Sequence, residues 1–247
     1  MSYSHRLIAF VDILGFGNLV EESEADSTKF RLILDVLDKI RAVDDGYASP
    51  ETFFAHSNYH MLSREQKLEL LPLYEKSKEE AAKDRVEITT FSDSIVFSVP
   101  ANEAGLLNFR YFLIKLFVYT SKFSLLLRGG ISCGSLVHEN GNVFGPAMNR
   151  AYYTESKISV YPRISLDKHA IDFIEGAQST TIGKTFGSEV IVDREDGIHY
   201  INSLDLSSTK VITFANAGHG LILEIPELWA IEIKKIALPE TCSNRAE

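Results

Sequence analysis

Residues 85–99 read RVEITTFSDSIVFSV, and their alternation constrains the fold more than any other stretch. Apolar and polar residues take turns on both sides of Ser92-Asp93, the pattern of strands whose side chains point to opposite faces. VEITTF and SIVFSV are joined tightly and therefore read as a β-hairpin. Its tip between buried strands is a costly place for an unpaired aspartate. LIAFVDILGF, residues 7–16, poses the same question, because Asp12 ends an apolar run. Residues 6–13 are almost entirely apolar and predict a strand buried on both faces.

The rest of the chain arranges itself around these two strands. GFGN turns the chain after the first. Phe30, Ile33, Leu34, Leu37 and Ile40 recur at helical spacing within 26–43, with Asp26 or Ser27 as N-cap. Residues 44–85 change character: a loop-like DDGYASPE, then a charged helical stretch broken by Pro72, together a peripheral insertion. Leu106, Leu107, Phe109, Phe112, Leu113, Leu116 and Phe117 mark a helix over 103–122. SLLLRGGISCGSLVHENGNVFG predicts two strands, a hairpin around residues 139–142, and a turn into a helix starting near Pro146. PRISLD reads as a strand and KHAIDFI as a short helix. SEVIVDREDGIHYINSL reads as a hairpin turning at Asp196-Gly197. The C-terminal GLILEIPELWAIEIKKI is ambiguous between strand and helix. The order β-α-β-β-α-β predicts an α+β, ferredoxin-like domain spanning 1–247, an antiparallel sheet with helices on one face, with 158–247 as its C-terminal part.

Composition excludes several classes. The net charge of −9 without a basic run argues against an extended nucleic-acid footprint. Two distant cysteines, Cys133 and Cys242, make neither a disulfide framework nor a zinc site and fit a reducing cytoplasm. The N-terminus lacks the features of a signal peptide, and no apolar run approaches a membrane span. Gly183-Lys184-Thr185 is not a P-loop, since the glycine needed at 178 is Gln178. GFGNLV at 15–20 lacks the third glycine of a dinucleotide fingerprint, and no HExxH pattern occurs.

In a split β-α-β-β-α-β sheet the first strand lies beside the hairpin of the second and third. Asp12 and Asp93 then meet at one edge. Two carboxylates and a backbone carbonyl form a hard oxygen site suited to Mg2+ or Mn2+ with bound phosphates.

Four blocks, in order from residue 8 to about 157, resemble the class III nucleotidyl cyclases: FVDILGF, TTFSDSIVFS, LLLRGGISCGSL as a strand-turn-strand, and NVFGPAMNRAYYTES. The resemblance implies two metal ions bridging a triphosphate, attack of the ribose 3'-hydroxyl on the α-phosphorus, and release of pyrophosphate. It makes Asp12 and Asp93 the metal ligands, assisted by the Ile13 carbonyl. Arg128 becomes a phosphate binder beside a glycine pair that permits close backbone approach. Asn149 becomes the residue that orients the ribose, supplied by the other protomer of a homodimer.

The departures from the family pattern matter as much. The transition-state arginine of purine cyclases falls on Tyr153, and a phenol cannot fully replace a guanidinium. Arg150, one helical step of about 100° per residue away for each position, faces elsewhere. The two positions that read a purine base fall on Thr89 and Asn142, which match neither the adenine nor the guanine pattern. The blocks instead resemble the bacterial pyrimidine cyclases of the Pycsar antiphage systems. That implies conversion of UTP, or alternatively CTP, to a cyclic mononucleotide read by a separate effector. Thr and Asn donate or accept, so these two residues do not choose between uracil and cytosine. Tyr47, in the loop opening the insertion, is the candidate to fill the space left by a smaller base. A purine cyclase and a degenerate module that binds nucleotide without turnover are the rival readings.

Overall fold

Leu7, Ile8, Ala9 and Val11 are fully buried, so the first strand is covered on both faces, as its apolar run requires. This strand, β1 (Ser4–Leu14), is central. It pairs antiparallel with β3 (Ser94–Pro100) from Arg6↔Pro100 to Asp12↔Ser94. On its other side it pairs antiparallel with β4 (Leu126–Glu139) from Ser4↔Leu136 to Leu14↔Leu126. The computed structural model describes residues 2–41, 61–121 and 125–201.

The remaining strands are β2 (Glu87–Phe91), β5 (Asn142–Phe144), β6 (Ile164–Leu166), β7 (Val190–Val192) and β8 (His199–Ile201). The sheet runs β2-β3-β1-β4-β6-β8-β7, with β5 paired to the end of β4. Its first four strands have the ferredoxin-like order, and the class is α+β as expected. One pair departs from the antiparallel expectation: β6 runs parallel to β4, Gly129 opposite Ile164. Parallel neighbours need a crossover, and helix α5 with the turn after it supplies one. LLLRGGISCGSL also departs from a strand-turn-strand, because β4 is one continuous strand through it.

The helices are α1 (Phe16–Ser23), α2 (Ser27–Arg41), α3 (Arg64–Ala82), α4 (Glu103–Ser121), α5 (Pro146–Tyr153), α6 (Lys168–Gly176) and α7 (Thr181–Glu189). Asp26 caps α2, accepting from the Thr28 N–H at 2.8 Å. Ser63 and Gln66 form a reciprocal capping box at the start of α3. That helix runs through Pro72 rather than breaking there. A proline forfeits its own backbone bond and crowds the preceding turn, and the Leu, Glu and Lys residues around it are good helix formers that carry the helix on.

Two helices were not read from the sequence. GFGN does not simply turn the chain: Gly15, with φ 80°, leads directly into α1, which buries Phe16. IGKTFG, of interest above only as a failed P-loop, lies within α7, N-capped by Thr180 and anchored by the fully buried Phe186.

One face of the sheet carries Leu7, Ala9, Val11, Ile13, Phe97, Val99 and Ile131 and forms the large core. Helices α2, α4, α6 and α7 pack on it through Val36, Ile40, Phe109, Leu113, Ile174 and Phe186. Phe30 and Leu34, part of the expected stripe of α2, remain exposed. The opposite face carries a smaller cluster in which Ile8, Phe10, Val96 and Leu136 meet Ala147 and Ala151 of α5. Helices therefore lie on both faces, unequally. Among the described residues no helix is long and apolar enough to cross a membrane. Tyr47 and residues 202–247 lie outside the described residues.

Candidate functional site

The strand register carries one row of residues across the face that α5 only partly covers. Asp12 lies opposite Ser94 on β3 and opposite Arg128 on β4. Phe91 and Ser94 are paired, leaving a two-residue turn at Ser92-Asp93 with Ser92 at φ 53°. The backbone N–H of Ile13 donates to the Asp93 carbonyl at 3.0 Å, which pins this turn to the end of β1. Asp12, Asp93 and Arg128 thus lie at one edge of the sheet, with the Ile13 backbone beside the Asp93 turn.

The charges in this cluster are unbalanced. Burial pushes the Asp12 carboxyl above its ordinary range, the nearby Asp93 pushes it further, and Arg128 only partly opposes them. Arg128 is engaged mainly elsewhere: its Nε donates to Glu155 Oε1 at 2.8 Å, while its NH2 reaches Asp12 Oδ2 at 3.4 Å. Glu155 is buried and sits on the single π-helical turn, residues 154–158, that continues α5. Gly130 lets this turn lie against the sheet. A Cβ there would stand 2.2 Å from the Ala151 carbonyl oxygen and 2.6 Å from the Glu155 nitrogen. The glycine pair therefore does allow close approach, but what approaches is the chain's own helix.

Asp12, Asp93 and the Ile13 carbonyl are hard oxygen donors of the kind that hold Mg2+ or Mn2+. Among the described residues no group of three or more His, Cys, Asp or Glu side chains gathers as a metal cage. A carboxylate pair that leaves the rest of the shell to water and phosphate is the usual protein contribution to a Mg2+–phosphate site. The donor set fits such ions, and the excess negative charge at Asp12 is what a cation would relieve.

Asn149 and Tyr153 are one helical turn apart on α5 and both exposed, whereas Ala147 and Ala151 face the sheet. Among the described residues neither is hydrogen-bonded or ion-paired to the Asp12 cluster. Arg150 faces elsewhere as expected: its Nε donates to Ser132 Oγ and Asp167, and its NH2 donates to the Cys133 carbonyl. Asn142 is exposed opposite Glu139 on the β4–β5 arm.

Thr89 sits opposite Val96, on the face shared with Phe10 and Asp12. It belongs to a chain of side chains that sequence reasoning missed. Arg6 Nε lies 2.9 Å from Ser98 Oγ, Ser98 Oγ 2.9 Å from His138 Nδ1, and His138 Nε2 3.0 Å from Thr89 Oγ1. Ile8 pairs with both Ser98 and Ser132, yet it is His138, further along β4, that reaches Ser98. The β4–β5 arm therefore curls back over this face. Burial, helped by the Arg6 charge, pushes the His138 imidazole down to about 4, so it is neutral at pH 7. Glu155 and His138 both stand inside quoted motifs, but nothing in their spacing announces burial.

No family model matches the chain, and no curated protein matches it. The solved structures similar to it include nucleotide cyclase domains. The adenylyl cyclase CyaB from P. aeruginosa is 13% identical with a TM-score of 0.46, covering 81% of this chain and 94% of that one. A bacterial light-regulated adenylyl cyclase is 13% identical with a TM-score of 0.44, covering 96% of this chain and 100% of that one. The guanylyl cyclase Cya2 is 14% identical with a TM-score of 0.42, covering 81% and 94%.

Proposed function

We propose that this protein is a nucleotidyl cyclase acting on a pyrimidine ribonucleoside triphosphate, UTP before CTP. The observation that carries the reading is the convergence of Asp12 and Asp93 at one edge of a half-open sheet face. The ordered cyclase-like blocks supply the chemistry: the ribose 3'-oxygen bonds to the α-phosphorus, the bond to the β-phosphate oxygen breaks, and pyrophosphate leaves. The hydroxyl proton passes to solvent. Asp12 and Asp93, with the Ile13 carbonyl, would hold the Mg2+ or Mn2+ ions. When bound, such ions neutralise the triphosphate and favour ionisation of the attacking hydroxyl.

Arg128 lies beside this edge, held by Glu155, and would pair with the phosphate oxygens. Asn149 and Tyr153 face away from their own sheet. Their exposure supports a shared site in which a second copy brings Asn149 to the ribose, and hence a homodimer with two equivalent sites. Thr89 and Asn142 would meet the base.

In this reading the product is an antiphage signal sensed by a separate effector, and the enzyme works in the cytoplasm without nucleic acid or membrane. One observation favours a second reading, a module that binds nucleotide without turnover: Tyr153, an uncharged and exposed side chain, stands where the resemblance places a transition-state arginine. The test is incubation with Mn2+ and each of UTP, CTP, ATP and GTP, with products identified by mass. A cyclic pyrimidine nucleotide is expected. A purine product would overturn the base assignment, and bound but unconverted nucleotide would establish the second reading.

A further inference from the structure

The side-chain chain that ends at Thr89 has a direction. Arginine only donates, so the Arg6 Nε–H is received by Ser98 Oγ. Ser98 is completely buried, and among the described residues its Oγ has one other partner, His138 Nδ1. If Nδ1 carried the proton and donated to Ser98, the serine's own hydrogen would be buried without an acceptor, a costly arrangement. The serine hydroxyl therefore donates to Nδ1. A neutral imidazole that accepts at Nδ1 carries its hydrogen on Nε2, and Nε2–H donates to Thr89 Oγ1. Among the described residues Thr89 Oγ1 has no further partner, and the residue is only half-buried. Its hydroxyl hydrogen is left for whatever occupies the open face.

We propose that His138 is a specificity-determining positioning residue, which the Arg6–Ser98 pair locks as the Nε2–H tautomer so that Thr89 presents a hydrogen-bond donor to the nucleobase. This rests on the cyclase reading above. A donor fixed in this way is best met by an acceptor at the base edge it faces. Uracil offers O4 to that hydroxyl, whereas the N4 amino group of cytosine would compete with His138 for the Thr89 lone pairs and leave the hydroxyl hydrogen without an acceptor. The residue types at 89 and 142 leave the pyrimidine open, and the relay behind Thr89 favours the keto edge. The charged groups near the relay are Arg6 and, beside Arg6, Glu87. Neither accepts from His138, so the direction is set by Arg6.

Two measurements on the full chain test it. Nitrogen-15 correlation spectra of the histidine rings at pH 7 should show His138 protonated at Nε2 and bare at Nδ1. The opposite tautomer, or an imidazolium at pH 6, overturns the relay whether or not nucleotide binds. Binding of 3'-deoxy-UTP and 3'-deoxy-CTP, which cannot cyclise, then reads selectivity. Wild type should prefer the uracil analogue. H138L should narrow the ratio roughly tenfold, chiefly by weakening the uracil analogue. H138Q, whose amide can still donate to Thr89, should restore most of the ratio. If H138L does not fold, T89V replaces it, since Thr89 is half-buried and its loss removes the same donor. An unchanged ratio in a folded variant, or equal weakening of both analogues, overturns the proposal while leaving the cyclase reading intact. No binding of either analogue by wild type overturns that reading, and the base-reading role with it.

Discussion

The two faces of the central sheet are built from alternate residues of the same strands and could hardly differ more. On one, Leu7, Ala9, Val11 and Ile13 are sealed under four helices. Even the charges there are internal: the buried Arg110 of α4 forms a bidentate pair with the buried Glu189 at the end of α7. On the other face the same strands carry Arg6, Ile8, Phe10 and Asp12, and one eight-residue helix, α5, covers only part of it. The charges of this second face are partly exposed and imperfectly matched. Asp12 is pressed by Asp93, and Arg128 is divided between Glu155 and Asp12. A sheet stabilised on one side can carry imperfectly matched charges on the other.

That contrast can be broken from either side. The largest expected effect is on the sealed face. Glu189→Ala strands the buried Arg110 charge and should destabilise the fold by about 3–5 kcal/mol, measured by urea denaturation. Asp93→Ala should leave the melting temperature nearly unchanged yet reduce turnover by about 10²–10³-fold or more, roughly 2.7–4 kcal/mol of barrier. If that variant unfolds instead, the two faces do not divide labour as described. Mixing inactive Asp93→Ala with inactive Asn149→Ala sharpens the same point. A heterodimer holds one intact site, so random exchange should recover about a quarter of the activity, and no recovery despite demonstrated exchange would rule out a shared site.

The relay predicts a pH effect of intermediate size. His138 ordinarily titrates near 6.5, and in the fold it is held at about 4. Between these values the unfolded chain binds the extra proton, so stability falls as pH drops through that window. The loss is about 3 kcal/mol by pH 4, and His138→Gln should flatten that part of the profile. The smallest effect concerns Asp12. Its folded carboxyl titrates above the ordinary 3.8, so the stability tied to its protonated form is lost as pH rises through the raised value. Asp12→Asn should therefore be as stable as wild type at acid pH and slightly more stable at pH 7, by about 1 kcal/mol or less, as read by thermal melts without divalent ions. A clear loss at pH 7 would show that the contact with Arg128 outweighs the crowding by Asp93.

Local pattern by itself determined the strands around Asp12 and Asp93 and the helix read over 103–122, which the structure shows as Glu103–Ser121, while the Asp-Gly turn signal marked the hairpin at Asp196-Gly197. It also placed Arg150 away from its neighbours on α5 by angle alone. What it left out has a common cause. Phe16 and Phe186 anchor helices too short to show a full stripe, and LLLRGGISCGSL hid a single strand because its glycines read as a turn. Pro72 alone signals a break, yet the helix formers around it carry the helix through. Only the tertiary structure decided that Glu155 holds Arg128, that Gly130 receives a helix, and that His138 returns over the sheet to Ser98 and Thr89. Those contacts join residues 21 to 49 positions apart. Their strength comes from burial, which no linear pattern encodes: a histidine at the end of β4, beside a hairpin turn, takes its tautomer from the serine and arginine it meets only once the chain has folded.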